Sequence, residues 1–200
     1  MYSLRTLLST LLVLLTINTV AAQAPASLPR TIASGPFDAG HIQGIAVDAE
    51  HKYIYYSYTT MLIKTDFEGR IIGSVTGLLG HLGDLDFNAE DGRVYGSLEY
   101  KNDAIGSHIS KGTGTAEVRQ SRFYVAEISV DMIDSLETPF EEVAVLHSID
   151  EAADDYSATV DLDGMSVEHR YGCSGIDGIT IAPAFGKGGK GKYLYVAYGI

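Results

Sequence analysis

The chain has 200 residues, 46% apolar and 20% charged, with a formal net charge of −12. That length and apolar share suit one domain with a sizeable core and exclude intrinsic disorder. A pI near 4.7 lacks the basic footprint of a nucleic-acid binder, and a single cysteine excludes both a disulfide scaffold and a cysteine-built zinc site.

Residues 1–22 read as a secretory signal peptide. Arg5 and the amino terminus give a positive start, Leu7 to Ile17 an apolar stretch, and Val20, Ala21 and Ala22 a small-residue cleavage site before Gln23. The apolar stretch is short for a bilayer span, and no second one follows. The expected location is therefore secreted or periplasmic, with no membrane span after cleavage. Cleavage removes one basic and no acidic residue, which takes the formal charge from −12 to −13.

The segment that remains, 23–200, repeats itself. Gly40, His41 and Ile42 recur 40 residues later as Gly80, His81 and Leu82. Ile45 to Glu50 recurs as Leu85 to Glu90, Ile54-Tyr55 as Val94-Tyr95, and Ser57 as Ser97. A looser third copy begins near Gly178, where Gly178 to Ile181 matches Gly44 to Val47 and Tyr193 to Tyr198 matches Tyr53 to Tyr58. Period-two alternation and turn residues at Asp48-Ala49-Glu50 and Asn88 to Gly92 make each copy a run of short strands. In the first copy, Met61 to Asp66 and Arg70 to Val75 follow as strands across a Glu68-Gly69 turn. In the second, Phe123 to Val130 and Glu142 to His147 follow. Tyr100 to Ser121 between them is an insertion. Val130 to Leu136 is expected to hold one helical turn, ended by Pro139.

Four strands recurring every 40–50 residues predict an all-β chain, a β-propeller of about two and a half four-stranded blades. The blades fall near 41–77, 81–148 and 175–200, with an insertion at 100–121 and an inter-blade loop at 149–174. The alternative is a β-sandwich with accidental self-similarity. A propeller closes with about four blades or more. Leaving some 500 Å² of apolar blade face wet would forfeit on the order of 12 kcal/mol, as much as a whole domain's stability. The expectation is a longer reading frame, a monomer when complete, with Leu28 to Phe37 supplying the strand that closes a last blade.

Gln43 to Asp48 followed by Tyr53 to Tyr56, and Asp177-Gly178-Ile179 followed by Lys192 to Tyr195, resemble secreted six-bladed propellers of the NHL, gluconolactonase/paraoxonase and alkaline-phytase type. The resemblance is to architecture, and many activities share the fold. It implies that innermost strands open on one mouth of a central channel, where His41, Gln43, His81, Asp84 and Asp177 would gather. Hard cations prefer six to eight oxygens, which Asp84, Asp177 and the Gln43 amide would help supply to a Ca²⁺ ion. In the resembling lactonases a channel calcium polarises the substrate, which makes His41 and His81 the candidate catalytic bases. The repeat alignment sets Asp177 opposite Gln43 but Asp84 opposite Gly44, and a one-residue shift reverses side-chain direction on a strand. The other reading of these residues is that they cap turns and tie blades together. Asp86, mid-strand where the other copies carry Ala46 and Thr180, needs a partner: a metal ion or hydrogen bonds from a neighbouring blade. Glu99 is a weaker candidate, expected to face the opposite rim.

Three other motifs have plainer readings. Asp150 to Asp163 is an acidic stretch whose Asp161-Leu162-Asp163-Gly164 only faintly resembles a calcium loop. Gly186 to Lys192 fits the opening of a phosphate loop, but Tyr193 stands where Ser or Thr belongs, so a hairpin tip fits better. Cys173, four residues after His169, reads as a small buried residue rather than a nucleophile. The expected function is binding of a small molecule at the channel mouth, with Ca²⁺-dependent hydrolysis of esters, lactones or phosphoesters. The rival is a non-catalytic recognition or scaffold propeller at the cell surface.

Overall fold

The computed structural model describes residues 31–169, 175–186 and 190–199. The signal-peptide reading of 1–22 lies outside these residues, as does Cys173. The unit that begins at Ile32 is mostly β, in several sheets of which none closes on itself.

The first sheet is an antiparallel meander of β1 (Ile42–Asp48), β2 (Tyr53–Tyr58), β3 (Met61–Asp66) and β4 (Ile71–Thr76). Two of its three turns, β1–β2 and β3–β4, are built by carboxylates. Asp48 Oδ1 accepts the Glu50 and His51 amides at 3.1 and 3.0 Å. Asp66 Oδ1 accepts the Glu68 and Arg70 amides at 3.0 and 2.9 Å, and its Oδ2 takes the Arg70 Nε–H at 2.6 Å. The second sheet runs β5 (His81–Asn88), β6 (Arg93–Tyr100), β7 (Arg122–Ile128) and, at its edge, β9 (Ala144–Ser148). The third copy forms a two-stranded sheet of β12 (Gly175–Pro183) and β13 (Lys192–Gly199).

All three leading strands carry the same irregularity. The register slips by one residue between Ile42 and Gly44 in β1, between Leu82 and Leu85 in β5, and between Ile176 and Gly178 in β12. This bulge kinks each strand close to its start and turns the side chains there. The leading strands lie side by side, β1 against β5 and β5 against β12. A Cβ on Gly44 would stand 2.6 Å from Asp84 Cα and 2.8 Å from the Leu85 nitrogen, so only glycine allows β1 so near the bulge of β5. The Ser57 hydroxyl donates to the Gly83 carbonyl across the same gap, and the Leu82 amide donates to the Thr59 carbonyl at 2.9 Å.

One apolar core spans the first two sheets. Tyr55, Leu62 and Val75 meet Leu82, Leu85, Leu98 and Ile128 in it. The connector after β7 closes it from outside with Val130, Ile133 and Phe140. That connector crosses to the first sheet, where Lys64 Nζ donates to the carbonyls of Val130 and Ile133 at 2.9 and 3.1 Å. Burial lowers the Lys64 ammonium below its usual value, and nearby Asp131, Asp134 and Asp48 oppose that effect. The connector then forms β8 (Thr138–Pro139), which pairs in parallel with the outer strand β4.

The structure corrects several expectations. The insertion 100–121 holds a helix, α1 (Ala104–Thr113), capped by Asp103, which accepts the Ile105 and Gly106 amides, and ended by Gly114 at φ 69°. Val130–Met132 is a single 3-10 turn, and Pro139 does not end it. Pro139 instead precedes a short helix, α2 (Phe140–Val143), as its fixed φ suits a helix start, and so the last strand begins two residues later than expected. The span 149–174 is not a plain loop. It contains α3 (Asp150–Tyr156) and a hairpin of β10 (Thr159–Leu162) and β11 (Met165–Glu168). Asp150 and Glu151 lie in the first turn of α3, where the helix dipole favours acids, while Ala152 and Tyr156 face inward. Of Leu28 to Phe37, residues 31–37 form no strand. Gly35 at φ 99° and Pro36 break the extension, and Phe37 packs edge-on against Tyr58 at 5.6 Å.

Two tests follow. Gly44→Ala drives a methyl group into the backbone of β5 and is expected to lose about 1–3 kcal/mol in urea unfolding; an unchanged midpoint removes the close approach as a constraint. Partial burial pushes the Asp66 carboxyl up, but the Arg70 and Glu68 contacts outweigh it and hold it below the usual carboxylate range. Its stabilisation is therefore present above the unfolded-state value near 3.9 and lost as pH falls through the lower folded value. Thermal melts should show Asp66→Asn less stable than the native chain at neutral pH, with the gap closing in acid below about pH 4.

Candidate functional site

The starts of β1 and β5 open on one cleft of about 580 Å³. β1 brings His41 and Gln43, the β2–β3 turn brings Thr59, and β5 brings His81. The opposite wall is α1, which presents Ala104, Ile105, His108 and Ile109. Thus His41 and His81, which stand 40 residues apart in sequence, line one cavity. Gln43 Nε2 lies 3.1 Å from His41 Nε2 and donates to Thr59 Oγ1 at 3.4 Å, which holds the exposed His41 ring beside the cleft.

His81 is the less exposed of the pair, at 17% for its side chain. It is the direct cross-strand neighbour of Glu99 on β6, and its Nδ1 lies 3.5 Å from Glu99 Oε2. Lys101 Nζ lies 2.8 Å from the same oxygen. Glu99 and Lys101 are both buried, with 1% and 6% of their side chains exposed. The other carboxylate oxygen, Oε1, accepts the Ile176 amide of β12 at 2.6 Å. Glu99 therefore does not face an opposite rim. It sits beneath the cleft, between two sheets.

The remaining sequence candidates stand elsewhere. Asp84 Oδ2 accepts the Ile179 amide at 3.1 Å. Asp86 Oδ2 accepts the Ile181 amide at 2.7 Å and the Thr180 hydroxyl at 3.0 Å, while its Oδ1 takes the Phe87 amide at 2.8 Å. Both aspartates thus tie β5 to β12, which is the hydrogen-bonding alternative read for Asp86. Asp177 occupies the bulge of β12 and is exposed. A calcium ion takes at least six oxygens converging on one point. Among the described residues no group of three or more His, Cys, Asp or Glu side chains gathers in that way.

Other motifs resolve locally. Asp161 Oδ1 accepts the Gly164 amide at 2.9 Å in the β10–β11 turn, where Asp163 and Gly164 have φ of 53° and 83°. That is a two-residue hairpin turn with positive φ at both central positions. His169 Nδ1 pairs with Asp155 Oδ2 at 3.0 Å. Lys192, at the end of the glycine-rich hairpin, pairs with Glu90 at 3.1 Å. A second cleft of about 660 Å³ opens at the far end of β1 beside Asp48, His51, Tyr55, Lys64 and Arg93. Its most buried charges are already engaged, Asp48 by a turn and Lys64 by two carbonyls.

Sequence reading missed His108, Ile105 and Ile109, because α1 was hidden in a polar, glycine-rich stretch. The signal was there in the caps, with Asp103 before the helix and Gly114 after it.

Asp86→Ala leaves the Ile181 amide without its acceptor. It should cost about 1–3 kcal/mol in urea unfolding. A neutral outcome means that Asp86 does not join the sheets.

No protein-family model, curated protein or solved structure matches the chain.

Proposed function

We propose that the chain is an exported β-propeller that hydrolyses neutral esters or lactones in the cleft between β1, β5 and α1. The carrying observation is that His41 and His81, one from each of two repeats, line one cavity. Radial arrangement of the sheets accounts for this. Leading strands that neighbour one another around an axis, each bulged at the same place, bring their first residues to one mouth. The class of substrate follows from the walls. No Lys or Arg lines the cleft among the described residues, while α1 contributes Ile105 and Ile109. A phosphoester would bring charge without a cation to meet it, whereas an ester with an apolar group meets an apolar wall.

His81 is the base of choice because it is the more enclosed imidazole. Its ring accepts a proton from water as the water oxygen bonds to the ester carbonyl carbon. The C–O bond to the leaving group then breaks, and the proton passes from imidazolium to the departing alkoxide. Water and ester yield acid and alcohol, with the base restored. His41, steadied by Gln43, lines the other side of the same space.

The test is turnover of p-nitrophenyl butyrate, a γ-lactone and p-nitrophenyl phosphate by purified protein. The expected result is hydrolysis of the first two, with kcat/KM lowered about 10²-fold or more in His81→Gln. Preference for the phosphate, no turnover above buffer, or an unaffected His81→Gln variant overturns the reading.

A further inference from the structure

We infer that Glu99 is a positioning residue for His81, holding the imidazole with Nδ1–H toward the buried carboxylate and Nε2 toward the cleft. The inference rests on the reading of His81 as the base, and it concerns a residue outside the cleft wall.

The argument begins with a polar atom that lacks an aligned partner. Glu99 is 1% exposed. Oε1 is satisfied by the Ile176 amide. Oε2 makes no aligned hydrogen bond, although Lys101 Nζ lies 2.8 Å away and balances its charge. Buried acceptors are almost always satisfied, and one that is not points to a function or to a group poised to reach it. Besides the Lys101 ammonium, the Nδ1 of His81 stands 3.5 Å from the same oxygen. In sites without substrate, catalytic hydrogen bonds are often long and tighten on binding.

The surroundings are shaped to admit this group of charges. Gly175, at φ 106°, faces Glu99 Oε1, and any Cβ there would collide with it. A Cβ on Gly106 of α1 would collide with the Lys101 carbonyl. A Cβ on Gly80 would stand 2.8 Å from the Glu99 carbonyl. Gly175 thus makes room for the Glu99 carboxylate itself, while Gly106 and Gly80 make room for the backbone of Lys101 and Glu99. A hydrophobic pair of similar volume would fill that space without the desolvation cost of two charges, so a role beyond packing is the natural reason for keeping them.

The chemistry follows from the donor count of imidazole. A neutral ring carries one N–H, and a carboxylate beside Nδ1 can only accept. It therefore selects the Nδ1–H form and leaves the Nε2 lone pair as the proton acceptor. Once Nε2 takes a proton, the imidazolium faces the Glu99 carboxylate, whose Oε2 the Lys101 ammonium also contacts. Glutamine at position 99 would remove the charge and offer an N–H as well, so it would no longer select one form.

The experiment is a two-dimensional ¹⁵N–¹H spectrum of the histidine rings at about pH 8.5, above the usual imidazole value, with His81 assigned by its loss in His81→Gln. The native protein is expected to show His81 protonated at Nδ1 and bare at Nε2. Glu99→Gln is expected to give a mixture or the opposite form, with kcat on the ester lowered by on the order of 10²-fold or more and KM within about twofold. A native ring that carries its proton on Nε2 overturns the inference without any variant being needed. An unchanged ring state in folded Glu99→Gln also overturns it. If the esters are not turned over, the ring spectra still decide the role of Glu99, so the two readings fail separately.

Discussion

The approach of β1 to β5 at Gly44 is the constraint on which the rest of the structure turns. Two sheets packed side by side through their leading strands leave little room for side chains where the backbones come closest. Glycine at position 44 removes the obstacle, and the bulge in β5 presents its backbone to that gap. Polar groups caught between the sheets must then find partners across the junction. Ser57 finds the Gly83 carbonyl, and the Leu82 amide finds Thr59. Because the approach falls close to the strand starts, His41 and His81 are drawn to the same cleft.

The junction between β5 and β12 uses a different device. Here the second sheet offers carboxylates, and β12 offers main-chain donors. Glu99, Asp84 and Asp86 accept the amides of Ile176, Ile179 and Ile181. Charged acceptors make stronger hydrogen bonds than neutral ones, and three along one strand fix its register against the neighbouring sheet. Asp84 and Asp86 read as candidate metal ligands in the sequence because carboxylates on a leading strand suit either task. The difference lies in what the opposing strand presents, which is a tertiary fact.

Much of the architecture was legible in one dimension. The 40-residue offset located two sheets, and β3 falls where its alternation placed it. The bulges were not legible, and they decide the site. Counted outward from the Asn88–Arg93 turn, an unbroken ladder would set His81 against Tyr100. The one-residue slip sets it against Glu99 instead, and so gives the imidazole a carboxylate neighbour. Periodicity reads faces, but an extra residue in one strand carries no compositional mark of its own. The helices were missed for a related reason. α1 and α3 are short and polar, and are held by caps and by packing onto neighbouring strands rather than by a long apolar stripe. Tyr156 of α3 packs on Phe123 at 5.2 Å and reaches Asp103 at 3.0 Å, contacts that join parts of the chain far apart in sequence.

The two-residue strand β8 has a consequence for synthesis on the ribosome. It covers the outer edge of β4, a row of donors and acceptors that would otherwise be open to pairing with another chain. The residues that cover it follow β7, more than 60 positions after β4 leaves the exit tunnel. Until Thr138 emerges, the nascent first sheet carries an unprotected margin, which is the stage at which chaperone contact or a slow pace of translation would matter most.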